Sequence, residues 1–260
     1  MKTIWFVCLA LLLVTACQLQ EDEGINRWTD ETLRTLYDLQ DRRDAEGLLP
    51  YLENEDAKYR EAAALAFGSV QDTAALPALT LALRDDSVTV RKAAAYALGQ
   101  TGHPDGFAVL LSASQQETAK DARAVMLEAM GKCVTEETIN TLVNTPAESP
   151  TEKEGLLWGL YRAALKQVIS EDGTRLTLQS ISGDDKEGVR LAAAHYLSRA
   201  NLDLSGYGNL LGQRARQEPN AEVRMALVGA LRKVDAPGVG NKPAALRAAA
   251  PRRACSAYGG

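Results

Sequence analysis

Apolar and polar positions along the chain follow a helical period in short stretches separated by polar turns. Val90, Ala94, Ala97 and Leu98 stand at i, i+4, i+7 and i+8, which makes one stripe on a helix. Gly99 follows and is expected to close that helix, because glycine takes the left-handed position after a helix end at little cost. A second stripe, Leu76, Leu79 and Leu83, predicts another helix. Pro77 suits its first turn, where N–H groups have no intrahelical partner. Leu49-Pro50-Tyr51-Leu52 repeats this local pattern earlier in the chain. Asp85-Asp86-Ser87 lies between the two stripes and offers side-chain oxygens to cap the helix that follows.

The stripes recur at a nearly constant interval. Val90-Arg91-Lys92-Ala93-Ala94-Ala95-Tyr96-Ala97-Leu98-Gly99 has a close counterpart in Tyr59-Arg60-Glu61-Ala62-Ala63-Ala64-Leu65-Ala66-Phe67-Gly68. Weaker copies occupy residues 122–131 and begin at Val189-Arg190 and Val223-Arg224. The shared arginines are Arg60, Arg91, Arg123, Arg190 and Arg224. The wide gap in the middle holds a degenerate copy at residues 152–161, with Lys153 in the arginine register. A poorer unit over residues 29–54 precedes the first clear one. The pattern predicts an all-α chain of about seven helix pairs over residues 29–235. A single pair cannot bury its own stripe, so such units stack into a solenoid.

The N-terminus follows a different pattern. Lys2 precedes an apolar run over residues 4–16 that only Thr15 interrupts, too short to span a bilayer. A basic start, a short apolar stretch and small residues at its end describe a secretory signal. Val14-Thr15-Ala16-Cys17 then resembles a bacterial lipobox. The resemblance implies cleavage between Ala16 and Cys17, a diacylglyceryl thioether on Cys17 and acylation of its new amino group. Two or more acyl chains give a lasting membrane anchor where one does not. Residues 1–16 therefore read as a lipoprotein signal peptide. Residues 17–28, with Glu21-Asp22-Glu23, read as a flexible acidic tether. Gln18, where an aspartate would signal inner-membrane retention, favours the outer membrane of a Gram-negative cell envelope. The acidic cluster also resembles the surface-export signal of Bacteroidetes lipoproteins, a plain solvated tether being the other reading.

Asp86-Ser87-Val88-Thr89-Val90-Arg91 followed by Ala93-Ala94-Ala95-Tyr96-Ala97-Leu98-Gly99 resembles the HEAT-like repeat first noted in phycobilisome lyases. The resemblance is strong over residues 56–86 and 87–116, and weak over 29–54 and 117–183. It implies a right-handed α-solenoid whose second helices line a concave, protein-binding face. Together with the lipobox, it makes the chain a membrane-anchored scaffold that binds an envelope protein of unknown identity and is not an enzyme. An alternative is the repeat portion of a longer envelope peptidyl-prolyl isomerase of cyclophilin type, whose catalytic domain is absent from these residues. A bilin lyase is suggested by the repeat's name alone, and export from the cytoplasm argues against it.

Charge and candidate chemistry narrow this further. All 34 acidic residues lie within residues 21–235, against 24 basic residues there, so the array is strongly acidic and nucleic acid is not an expected partner. Aromatics are only 5%, and alanine runs predict helices packed through small side chains. His103 in a turn and His195 in a helix have no second ligand at metal spacing, so no metal is expected. Cys8 leaves with the signal, Cys17 is acylated, and Cys133 and Cys255 do not suggest a disulfide framework; Cys133 is expected to be inert. Asp85-Asp86 and Asp184-Asp185 read as capping turns, and the repeated arginines as partners of acidic inter-repeat turns. No phosphate-binding loop or nucleophile elbow is present, so no cofactor or small-molecule substrate is expected. Residues 145–151, with Pro146 and Pro150, and residues 203–209 are the expected places for partner contacts. After Asp235 the composition changes to 8 Ala, 4 Gly, 3 Pro and 3 Arg without an acid. Residues 236–260 are therefore expected to be a frame-shifted or truncated end, or else a natural low-complexity, disordered extension.

Overall fold

A computed structural model describes residues 29–183 and 186–234, and every regular element among them is helical. The expected signal peptide, the expected cleavage and lipidation positions Ala16 and Cys17, the expected tether, Asp184-Asp185, Cys255 and residues 235–260 lie outside the described residues. Six units each supply a first and a second helix. They are α1 (Glu31–Asp41) with α2 (Ala45–Leu48), α3 (Ala57–Val70) with α4 (Leu76–Ala82), and α5 (Val88–Thr101) with α6 (Asp105–Gln116). The series continues with α7 (Lys120–Cys133) and α8 (Ile139–Val143), α9 (Pro150–Leu165) and α10 (Glu171–Ser182), and α11 (Glu187–Arg199) and α12 (Gly208–Gln217). A seventh first helix, α13 (Ala221–Leu231), ends the described array.

The helices start where the polar turns predict. Asp30, Asp56 and Asn220 are N-caps whose side chains accept N–H bonds from the first turns of α1, α3 and α13. Ser149 and Glu152 form a reciprocal capping box on α9 just ahead of its buried apolar run. Ser87 departs from expectation: it is the N-cap of α5, yet its side chain makes no capping bond. The neighbouring Asp85 carboxylate accepts the Ser87 N–H instead, at 2.8 Å. The segment Leu49–Glu53 is a 3-10 helix, not an α-helix.

First helices stack on first helices, from α1 through α13, and this layer carries the densest packing. The predicted stripe of α5, Val90, Ala94, Ala97 and Leu98, is wholly buried there. Each such leucine contributes about 1.5–3 kcal/mol by leaving water. Second helices pack mainly on the first helix of the following unit: α4 on α5, α6 on α7, α10 on α11 and α12 on α13. They touch one another little, so their layer is the looser of the two. The stacked pairs make a solenoid.

The repeated glycines do not end helices, which corrects the sequence-based expectation. Gly99 lies inside α5, and the left-handed cap is Gly102, with φ of 61°. Gln71 takes the same role after α3. Gly99 instead faces Ala129 of α7, which leaves no room for a Cβ. The closest approach is between α7 and α9. A Cβ on Gly131 would fall on the Gly159 backbone, and one on Gly155 on the Ala124 backbone. Small residues here bring two helix axes together, and that is why α7 and α9 share the most extensive helix contact of the array.

Basic side chains fasten neighbouring units where helices end. Arg43 donates to the Ser69 and Val70 carbonyls at the end of α3. Lys166 donates to Lys132 and Val134 at the end of α7, and Lys233 to Leu197 and Ala200 at the end of α11. The last carbonyls of a helix have no intrahelical donor and carry partial negative charge, so a cation satisfies both needs.

Candidate protein-binding face

Because second helices diverge, clefts open between them. One, of about 690 Å³, lies between α4 and α6 and is bordered by Thr80, Leu83, Arg84, Val109, Ser112 and Gln116. A second of about 390 Å³ runs between α6 and α8, with Leu111, Gln115, Asn140 and Pro146 on its walls. A third of about 360 Å³ separates α10 from α12 and is lined by Arg175, Leu178, Tyr207 and Leu210. All three mix apolar walls with amide, hydroxyl or charged groups, a lining suited to side chains of a protein partner. Leu81, on α4 beside the first cleft, is 67% exposed.

The two segments expected to carry partner contacts both reach these clefts, but neither is a free loop. Thr145 is buried, and the Pro146 carbonyl accepts a 2.8 Å hydrogen bond from Arg123. Asp203 closes its own turn on the Ser205 N–H, and Leu202 and Leu204 are buried beneath it. Thr145, Pro146 and Tyr207 are the residues these segments place on a cleft wall.

The repeated arginines form a structural ladder. Arg60 grips the Asp85 carboxylate through two nitrogens at 2.7 and 2.9 Å while its third donates to the Asn54 and Glu55 carbonyls. Arg91 repeats this with Glu117 and with the Asp85 and Asp86 carbonyls. Arg190 pairs in the same two-pronged way with Glu218. Arg123 is a variant: it donates to Ser114 and Pro146 and lies 3.4 Å from buried Glu152. Each turn acid also accepts the N–H two residues on, at Ser87, Ala119 and Asn220, so one carboxylate shapes the turn and joins two units. Two-pronged guanidinium–carboxylate pairs are the strong form of this contact. The Arg91 guanidinium holds the Glu117 carboxyl below its ordinary range, and Arg60 does the same to Asp85.

The remaining candidate groups resolve separately. His103 is partly buried, with Nδ1 3.6 Å from the Asp105 carboxylate. His195 sits on α11 against Trp158 and Tyr161 of α9, with ring centroids 5.4 and 5.8 Å away. Burial lowers its pKa, as does Arg199. The signal for its neighbours was register: Trp158 and His195 hold the same position in adjacent first helices. Among the described residues, no group of three His, Cys, Asp or Glu side chains is placed to hold a metal. No helix among them is long and apolar enough to cross a membrane.

Cys133 is fully buried at the end of α7, its Sγ 3.5 Å from the Leu98 carbonyl, and burial pushes the thiol up to about 11. Its thiolate is therefore scarce at neutral pH. Incubation with a maleimide under native conditions is expected to leave Cys133 unmodified and to label it only in denaturant. Peptide mapping by mass spectrometry checks this, and prompt native labelling at Cys133 would refute the assignment.

Residues 45–131 match the family model of HEAT repeats. The matched stretch runs from α2 to α7, and the same helix-pair arrangement continues to α13. Comparison with curated protein sequences gives no match. Among solved structures, the chain is similar to the complex of CpcE and CpcF of phycocyanin lyase from Nostoc sp. PCC7120, at 18% identity and a TM-score of 0.48, covering 79% of this chain and 90% of that one. A designed armadillo repeat protein is similar at 14% identity and a TM-score of 0.43, covering 74% of this chain and 100% of that one. Residues 45–131 carry HEAT repeats within a longer solenoid of helix pairs.

Proposed function

We propose that this HEAT-repeat scaffold binds a protein partner in the cell envelope through its second-helix face, held at the membrane by lipid on Cys17. The observation that carries the reading is the row of clefts between α4 and α6, α6 and α8, and α10 and α12, each walled by two units. A rigid first-helix layer holds the cleft walls at fixed spacing, so a partner meets a preformed surface and the ordering cost of binding is small. The repeated arginines and the turn acids fasten neighbouring units together, which keeps the cleft walls in place. The lipobox at Val14-Thr15-Ala16-Cys17 supports the anchor and the envelope.

The test places a photo-crosslinking residue at Ser112, which is exposed on the wall of the α4–α6 cleft. Irradiation of intact cells is expected to trap one reproducible protein, and Val109→Glu in the same cleft is expected to abolish that product. Failure to trap any reproducible protein would count against the scaffold reading. The anchor is tested separately. Cys17→Ser is expected to move the protein from the membrane fraction to the soluble fraction, since the substitution removes the thioether and the acylated amino terminus together. Unchanged sedimentation with membranes would overturn the lipid assignment.

A further inference from the structure

We propose that His195, Trp158 and Tyr161 form a proton-sensitive joint between α9 and α11, closed while the imidazole is neutral and loosened when it takes up a proton in mild acid. The joint lies in the first-helix layer and does not depend on what the clefts bind.

Three rings stand in a triangle. Trp158 meets Tyr161 edge-on with centroids 5.5 Å apart, and His195 completes the figure at 5.4 Å from Trp158 and 5.8 Å from Tyr161. Ring contacts of this kind fasten two helices through apolar faces, and a neutral imidazole serves in them as one more ring. A protonated imidazole carries a full charge and two N–H donors. The Ser198 hydroxyl donates to the backbone carbonyl of His195, and among the described residues neither ring nitrogen has a hydrogen-bond partner. The new donors must therefore be met by water at the edge of the cluster, where closed ring faces leave them least room. Tyr196, the next residue, points to the other side of α11. Its buried hydroxyl lies 2.9 Å from Thr174 Oγ1 of α10, and Thr174 lines the α10–α12 cleft. One helix thus joins the ring cluster to a cleft wall.

The charged groups around the ring decide the sign. From α11 itself, Arg199 stands one turn beyond His195 and opposes a second cation. From α9, Arg162 lies over the Tyr161 ring at 5.5 Å while pairing with Glu128, so a cation already holds that aromatic face. Glu154 of α9 rests against Gly188, two turns before His195. From α13, Glu222 favours protonation, whereas Lys233 adds a cation at the end of α11. Burial is the largest influence, followed by Arg199, and they hold the imidazole below its ordinary value against the pull of Glu222. A histidine lowered in this way supports the closed form fully above its unfolded pKa of about 6.5 and loses that support as pH falls through the folded value. The ladder carboxyls titrate lower, so the two effects separate along the pH axis.

The full chain carrying Trp5→Phe and Trp28→Phe keeps Trp158 as its one indole. Its fluorescence is expected to change in a single step as pH falls from 7 to 5, with a midpoint below about 6.5. The ring signals of the two histidines, assigned in NMR spectra with His103→Gln, are expected to give that same midpoint for His195. Amide exchange, corrected for its intrinsic pH dependence, is expected to quicken severalfold in α9, α10 and α11 across the step and to stay level in α5. His195→Phe retains an uncharged ring and is expected to remove both the fluorescence step and the change in exchange. His195→Gln takes its place if phenylalanine disturbs the circular dichroism spectrum at pH 7. Should neither variant fold, the titration and exchange of the chain with His195 decide alone. A His195 midpoint at or above the ordinary histidine value overturns the proposal. So does exchange in α11 that ignores the step, or a response that persists in a folded His195 variant.

Discussion

Gly131→Ala is expected to destabilise the protein by about 2 kcal/mol or more, whereas Gly212→Ala is expected to stabilise it by about 0.5–1 kcal/mol. Both glycines lie inside helices, α7 and α12. In an isolated helix, alanine is the better residue at each, because glycine has more backbone freedom to lose. The sign therefore depends on the neighbours. A methyl at Gly212 meets only the tip of Arg216 at 3.5 Å, an ordinary contact. A methyl at Gly131 falls on the backbone of Gly159, so α9 must move away from α7 as a body. That movement weakens the largest helix interface of the solenoid. In an array stabilised by nearest-neighbour interfaces, the units on either side are then less well coupled. Urea unfolding followed by circular dichroism is expected to show a lower midpoint for Gly131→Ala, or two transitions in place of one. A midpoint at or above that of the parent chain would sink the close-approach account.

Glu117→Ala is expected to cost about 3 kcal/mol, the scale for removing one partner of a buried ion pair. The Glu117 side chain is only 2% exposed and Arg91 16%. Alanine leaves the guanidinium without its carboxylate and the Ala119 N–H without its acceptor. The pair also sets a pH dependence. The Glu117 and Asp85 carboxyls have pKa values below their unfolded values, held there first by hydrogen bonds from Arg91 and Arg60. A depressed carboxyl stabilises the fold fully above its unfolded pKa and loses that contribution as pH falls through the folded value. Stability is therefore expected to be level near neutrality and to decline below about pH 4.5. Glu117→Gln is expected to lower Tm at pH 7 and to flatten part of the acid limb. Thermal unfolding from pH 3 to 7 measures both effects. An acid limb of unchanged slope in Glu117→Gln would show that the ladder does not govern it.

Much of this architecture is legible in the residues. The stripe Val90, Ala94, Ala97 and Leu98 identifies a helix and its buried face without any knowledge of what it meets. The equal spacing of Arg60 and Arg91, with acids in the turns between, points to the ladder, because a repeated charge facing a repeated opposite charge has one economical solution. The degenerate unit with Lys153 is also present as α9, since its apolar period survived although its signature residues did not.

What sequence could not decide were distances between helices. A glycine after an apolar stripe is compatible with a helix end or with a close neighbour, and local sequence contains no term that separates them. Gly99 and Gly131 were settled by Ala129 and Gly159, which lie about thirty residues further along the chain. The same holds for the clefts, which exist because second helices lean on the following first helix and leave gaps among themselves. Sequence by itself determined the helical period, the approximate unit count and the pairing of the repeated arginines with acidic inter-repeat turns. Tertiary structure alone decided which small residues are contact points and which apolar ones stand open, because both depend on chain segments that meet only after the units stack.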